Sequence, residues 1–244
     1  MQKKLSRLIR DSFLLIGFVA ILTGCVKPSV SINNNSSIPI SYFNVMNLSC
    51  DQDTSAVFFG GSSYPLLFPP GSFTKGYLKV VSGNFGIQFK NAATDSILAQ
   101  LPSSTYDSAG FYTLILSNNK KDSSYQANVI VDDYSNISTD TVAYYRFLNI
   151  SPNLDSVDFY IDNLKIQVNR TPADNFTNPS FNRFQPISRG HHSWTATRSG
   201  SDINISGCSL DGLLQGGHAY TFFIEELHQK PENIYSLQVL QESL

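Results

Sequence analysis

Ser156-Val157-Asp158-Phe159-Tyr160-Ile161-Asp162 decides the fold. In an extended chain Val157, Phe159 and Ile161 point one way, and Ser156, Asp158, Tyr160 and Asp162 the other. The segment therefore reads as a strand with one face in a core and one in water. Asp162-Asn163 comes next, a pair that tolerates the positive φ of a tight hairpin turn, so the next strand folds back along the first. Working outward, strands are expected at about 142–149, 156–162, 164–168, 182–187, 191–197, 202–206, 218–225 and 234–241. No segment sustains a 3.6-residue apolar period, and the best helical candidate is the short run 209–215. The abundance of Asn, Ser, Thr, Tyr, Phe, Val and Ile suits strands joined by turns.

The unit holding this strand occurs twice. Tyr42-Phe43-Asn44-Val45-Met46-Asn47-Leu48-Ser49 resembles Tyr144-Tyr145-Arg146-Phe147-Leu148-Asn149-Ile150-Ser151. Ala56-Val57-Phe58-Phe59-Gly60-Gly61 echoes Val157-Asp158-Phe159-Tyr160-Ile161-Asp162, and Gly83-Asn84-Phe85-Gly86-Ile87 echoes Gly190-His191-His192-Ser193-Trp194. Gly110-Phe111-Tyr112-Thr113-Leu114-Ile115 then matches His218-Ala219-Tyr220-Thr221-Phe222-Phe223, and 125–131 matches 235–241. The offset drifts from 102 to 110, as small loop insertions in the second copy would produce. Seven or so short strands in about 100 residues read as an immunoglobulin-like sandwich. The expected architecture is all-β: two tandem immunoglobulin-like β-sandwich domains at 39–135 and 140–244, with a polar linker between them.

The start of the chain reads differently. Lys3, Lys4, Arg7 and Arg10 precede an apolar run at 13–22 that falls short of the about 20 residues a spanning helix needs. A basic start and a short apolar run have the form of a signal peptide. Leu22-Thr23-Gly24-Cys25 resembles the lipobox of bacterial lipoproteins: an aliphatic residue, two small residues that fit the peptidase, then the thiol that takes the lipid. The expectation is a signal peptide at 1–24, lipid on Cys25 and a flexible polar tether at 25–38, with the membrane as a partner. The acidic run that marks some surface-exported lipoproteins is missing after Cys25, which leaves the membrane face open. The signal holds four of the 17 Lys and Arg and one of the 19 Asp and Glu. The mature chain is therefore acidic, which argues against nucleic acid.

The segment 145–162 also resembles the opening of domain-of-unknown-function family 4397, with its Arg-aliphatic-x-Asn-x-Ser-Pro strand (Arg146 to Pro152) and its Val-Asp-aromatic-Tyr-x-Asp strand (Val157 to Asp162). Gly190-His191-His192-Ser193-Trp194 is similar to a later strand of that family. The likeness covers about 140–244. The first copy departs from it, with Asn44 for the arginine, Cys50 for the proline and no aspartate in Val57-Phe58-Phe59-Gly60. The resemblance implies immunoglobulin-like domains, often in tandem, in secreted or lipid-anchored proteins of Bacteroidetes type, and it implies no activity.

Candidate chemistry is sparse. His191 and His192 point to opposite faces of a strand, which disfavours a shared metal ion; His218 and His228 stand apart. No Gly-x-Ser-x-Gly elbow or phosphate loop occurs, and Gly60-Gly61-Ser62-Ser63 and Gly216-Gly217 read as turns. Asp158 and Asp162 are about 13 Å apart along a strand, too far for a glycosidase pair. Asp132-Asp133 and Glu225-Glu226 read as solvated strand ends. Trp194, Tyr160 and Tyr144, with Tyr220 and Tyr235, are the candidates for a sugar-stacking platform, set against simple packing. Ser96, Ser108, Thr141 and Ser156 lie in Asp-Ser/Thr-aliphatic triplets that resemble an O-glycosylation signal. Cys50 and Cys208 could form a disulfide or remain free.

Expected, then, is a lipid-anchored envelope protein that is not an enzyme and needs no cofactor, with a binding, adhesion or assembly role towards an envelope protein or glycan. The alternatives are a glycan-binding lipoprotein of a polysaccharide-uptake system and a fimbrillin-like pilus subunit.

Overall fold

The computed structural model describes residues 38–51, 53–137, 141–229 and 232–242, without the side chains of 227–229 and 232–233. The signal peptide, the lipobox Leu22, Thr23 and Gly24, Cys25 and the tether up to residue 37 lie outside the described residues, as does the His228 side chain. The described chain is one compact unit.

The first copy contributes β1 (Ile40–Asn47), β2 (Ser55–Phe59), β3 (Ser62–Phe68), β4 (Ser72–Phe73), β5 (Leu78–Val81), β6 (Gly83–Asn91), β7 (Ile97–Tyr106), β8 (Phe111–Asn118) and β9 (Tyr125–Val131). The second contributes β10 (Val142–Asn149), β11 (Val157–Ile161), β12 (Leu164–Arg170), β13 (Gln185–Ser188), β14 (Gly190–Arg198), β15 (Asn204–Leu214), β16 (Ala219–Gln229) and β17 (Glu232–Glu242). A short helix, α1 (Asp174–Thr177), and a 3-10 turn at Pro179–Asn182 separate β12 from β13.

Each copy is a sandwich of two sheets with matching order. In the first, β1 lies between β8 and the β4 and β5 segments, with β9 beyond β8, and the second sheet runs β3-β2-β6-β7. The other copy repeats this as β13-β10-β16-β17 and β12-β11-β14-β15. In both, the first strand runs parallel to the penultimate one, and in matching register: Asn44 opposite Thr113, Arg146 opposite Thr221. Both carry the corner in which a tyrosine hydroxyl accepts a backbone N–H five residues upstream, Asp107 to Tyr112 and Gln215 to Tyr220, each at 2.9 Å. The turns also agree. Gly60-Gly61 and Asp162-Asn163 all have positive φ, as the two-residue hairpins demand.

The run 209–215, expected as a helix, forms the second half of β15 as far as Leu214. It pairs with β14 in the register Trp194↔Leu210 and Gly190↔Leu214, and that pairing outweighs its local helical tendency. Likewise 182–187 begins in the 3-10 turn and becomes a strand only at Gln185.

The two sandwiches lie face to face. Phe43 and Val45 of β1 enter the first core with Val57, Ile87 and Phe89, while Met46 and Leu48 leave by the opposite face. Phe147 enters the second core with Phe159 and Trp194, while Leu148 and Ile150 leave by its opposite face. These outward faces meet in a third core, where Met46, Leu48, Ile115 and Ile130 pack on Leu148, Ile150, Phe223 and Leu240. Each such side chain is worth about 1.5–3 kcal/mol on burial. The four strands β1, β8, β10 and β16 are thereby buried on both faces, which explains continuous runs such as Leu114-Ile115-Leu116 and Tyr220-Thr221-Phe222-Phe223-Ile224.

A charged centre completes this seam. The fully buried guanidinium of Arg146 donates to Asp132 at 2.6 Å, to Glu242 at 3.3 Å, and to the hydroxyls of Thr221 at 2.7 Å and Thr113 at 3.1 Å. The Thr113 hydroxyl donates in turn to Asp132 and the Thr221 hydroxyl to Glu242, both at 2.7 Å. Asn44 donates to Glu242 at 2.5 Å, and Tyr77 donates to Asp132 at 2.8 Å. Asp132 is therefore no solvated strand end: it is buried because the other copy supplies the surface that covers it. Glu225 and Glu226 are buried as well. Tyr134, near the end of the first copy, stacks on Phe184 of the second with ring centroids 5.2 Å apart.

Candidate functional site

The seam opens at one end into a cleft of about 370 Å³. One wall is the β8–β9 hairpin, with Asn118, Asn119, Lys120 and Gln126. The other is the segment from Ile150 to Asp155 together with α1 and the residues before it, including Pro152, Leu154, Pro172 and Phe176. The floor is apolar and continuous with the seam core, since Phe176 packs against it. The rim is polar, and an ion pair between Lys120 and Asp155 crosses from one copy to the other. That partner holds the Asp155 carboxyl below its ordinary range.

Both walls are fixed by polar side chains. Asn118 accepts the Cys50 N–H at 2.7 Å and donates to Asp51 at 2.7 Å. Glu226 does the equivalent work in the second copy, accepting from Ser151 Oγ at 2.7 Å, Asn153 Nδ2 at 2.6 Å and Asn153 N at 3.2 Å. The α1 wall hangs on Arg170, which is buried, stacks 4.0 Å from the centroid of Phe181, and donates to the Phe147 carbonyl at 3.1 Å and to Asn175 at 2.8 Å. Asn175 in turn donates to the Asn149 carbonyl at 2.6 Å. Burial lowers the Arg170 pKa to about 10, against the pull of Asp174. The signal that could have located Glu226 is its place in the repeat, where it matches Asn118 at the end of β8; Arg170, the last residue of β12, matches Phe68 and carries no such sign.

The expected stacking platform is not assembled. Trp194 is 2% exposed and packs on Phe222 in the second core, with centroids 4.7 Å apart. Tyr144 is buried beside Phe184 and Ala219. Tyr220 is spent on the corner, and Tyr235 packs partly against the second core. Trp194 points inward because it shares the face of Val157 and Phe159 across the β11–β14 pairing. Tyr160, one residue out of phase, stays half-buried on the outer face.

The remaining candidates separate. His192 meets Asp162 at 2.6 Å, which ties β14 to the hairpin turn, while His191 is exposed and His218 contacts Gln241 at 3.1 Å. Among the described residues no three metal-ligating side chains gather. Asp158 is held down to about 2: burial opposes ionisation, but Lys165, the Asn169 N–H and Ser199 all donate to its carboxylate. Cys50 and Cys208 are free thiols, both pushed up to about 12 chiefly by burial. Ser96, Ser108 and Thr141 are exposed and Ser156 is half-buried.

No protein-family model matches the chain, and no curated protein matches it either.

Proposed function

We propose that the chain is a lipid-anchored protein of the bacterial cell envelope with a non-enzymatic binding or assembly role, and that the cleft between its sandwiches receives the partner. The anchor rests on Leu22-Thr23-Gly24-Cys25 and the basic, apolar segment before it. The observation that carries the binding role is the cleft itself, an apolar floor with a polar rim at the junction of two locked domains, which is where binding sites concentrate. The polar side chains around it serve the scaffold: Asn118, Glu226 and Arg170 are committed to loops, which suits a rigid receptor. The pilus-subunit reading has less support, because β1 is hydrogen-bonded on both sides, to β8 and to β4 and β5.

The test is photo-crosslinking in cells. A crosslinking residue at Thr177, on the cleft wall, should capture a discrete species from the envelope, and Ala173→Trp, which fills the cleft, should abolish it. Capture that survives Ala173→Trp, or none at all, would overturn the reading of the cleft. Proteinase treatment of intact cells, with Cys25→Ala as control, then reports the face: digestion places the protein outside, and protection until lysis places it inside.

A further inference from the structure

A second depression lies on the outer face of the second sandwich, away from the cleft. It measures about 230 Å³ and is lined by Tyr160, Asn163, Thr195, Thr197, Asp202 and Asn204. Tyr160 and Thr195 sit side by side on β11 and β14, Thr197 sits opposite Asn204 on β15, and Asp202 comes from the loop between β14 and β15. We propose that this depression binds one uncharged saccharide ring; the proposal goes beyond the cleft reading above and uses a different surface.

Three observations carry it. Thr197 is only 2% exposed, and its hydroxyl has no hydrogen-bond partner, although it lines the depression. Nearly all buried polar atoms are satisfied, so an orphan hydroxyl on a residue that lines an open depression marks a place where a polar partner can enter. The other lining groups are amides, a hydroxyl and one carboxylate, which suit the adjacent donor-acceptor hydroxyls of a sugar. The half-buried ring of Tyr160 offers an apolar face for the sugar's C–H surface, and Lys165, 5.4 Å from the ring centroid, steadies it. Charge sets the class. Asp202 repels an anion, and the neighbouring ammonium of Lys165 is already bonded to Asp158 at 2.8 Å. The volume lies below the about 300–1,000 Å³ of sites for drug-sized ligands, so it suits a single ring.

The experiment is an NMR titration of the full mature lipoprotein in detergent with glucose, galactose, mannose and N-acetylglucosamine, one at a time, and glucuronate as the charged control. Saturable binding of at least one neutral sugar at millimolar concentration is expected. Tyr160→Ala and Asp202→Ala should weaken it about tenfold or more, and Phe176→Ala, in the cleft, should leave it unchanged. Thr197→Val separates a ligand role from a structural one: it should weaken binding while leaving the melting temperature unchanged or raised, since it removes an unsatisfied buried hydroxyl. The proposal is overturned by the absence of saturation with all four sugars, by preference for glucuronate, or by binding indifferent to Tyr160→Ala and Thr197→Val. Failure here together with capture at Thr177 would leave the cleft reading standing.

Discussion

The first and second sandwiches share a plan and divide the labour at their seam. Strand order, parallel register, the tyrosine corner and the two-residue hairpin coincide in both. At the centre of the seam they differ. Arg146 stands where the first copy has Asn44, and each copy supplies one carboxylate, Asp132 or Glu242, and one threonine, Thr113 or Thr221. One guanidinium serves both halves. Two facing arginines would confront each other across the same small volume, and none would leave two buried carboxylates without a cation. The lesson is that duplication preserved what makes each sandwich fold, while divergence made the pair complementary.

The severest way to break this comparison is Arg146→Ala. Removing one partner of a buried network costs about 3–5 kcal/mol, and thermal melting should fall by roughly 10 °C for a body of this size. Arg146→Asn should be comparably damaging. Adding Asn44→Arg to it moves the cation to the first copy and should recover part of the loss; a double variant no more stable than Arg146→Asn would show that the two positions are not interchangeable.

Acidity gives the next effect. Burial raises Glu242 to about 7, with Asp132 adding to the rise and Arg146 opposing it, and burial raises Glu225 to about 7 as well. Between about pH 4.5 and 7 the folded chain holds protons that the unfolded chain has released, so stability falls as pH rises through that window and levels off above it. The expected loss is about 2–3 kcal/mol for each of the two groups, read from urea midpoints at pH 5 and 8. Glu242→Gln should flatten the profile; an unchanged slope would assign it elsewhere. Asp158, held down to about 2, acts in the opposite sense and only below about pH 4.

A milder pair sharpens the likeness. Tyr112→Phe and Tyr220→Phe each remove the acceptor of one backbone N–H, and each should cost about 1 kcal/mol in chemical denaturation. Losses that differ severalfold would show that the corner is spent unequally in the two copies. Smallest of all, Cys208 should resist thiol reagents until unfolding and Cys50 should react slowly, with reduction changing nothing.

Much of the architecture is legible in the chain. The alternation of Val157, Phe159 and Ile161, the Asp162-Asn163 turn and the ordered repeat place most strands within a residue or two, as at 142–149, but the strands expected at 202–206 and 218–225 run on to Leu214 and Gln229, and the one expected at 182 begins only at Gln185. What stays hidden depends on distant surfaces. Asp132, Glu225 and Glu226 read as solvated, because nothing local reveals the side chains that bury them, such as Arg146 and Tyr77 at Asp132 or Ser151 and Asn153 at Glu226. The continuous apolar runs of β8 and β16 do signal burial on two sides, but only a face-to-face arrangement gives that signal its meaning. Trp194 reads as a binding group from its residue type, while the phase of its strand sends it inward. Of the six residues around the outer depression only Tyr160 stands out by its residue type; Asp202 reaches it through a loop whose course no periodicity encodes.

The seam also sets an order of events. A ribosome delivers β1, β8 and β9 first, with Met46, Leu48, Ile115 and Ile130 facing nothing, and Asp132 without its cation. Arg146 arrives with β10, and the last carboxylate only with β17, the final strand. Until then the first sandwich is a half-finished body with an adhesive face, the kind of intermediate that aggregates or needs a chaperone's grip. Face-to-face packing therefore makes folding a matter of waiting: the first half can close its own core early, but its far side stays open until the second half has been delivered.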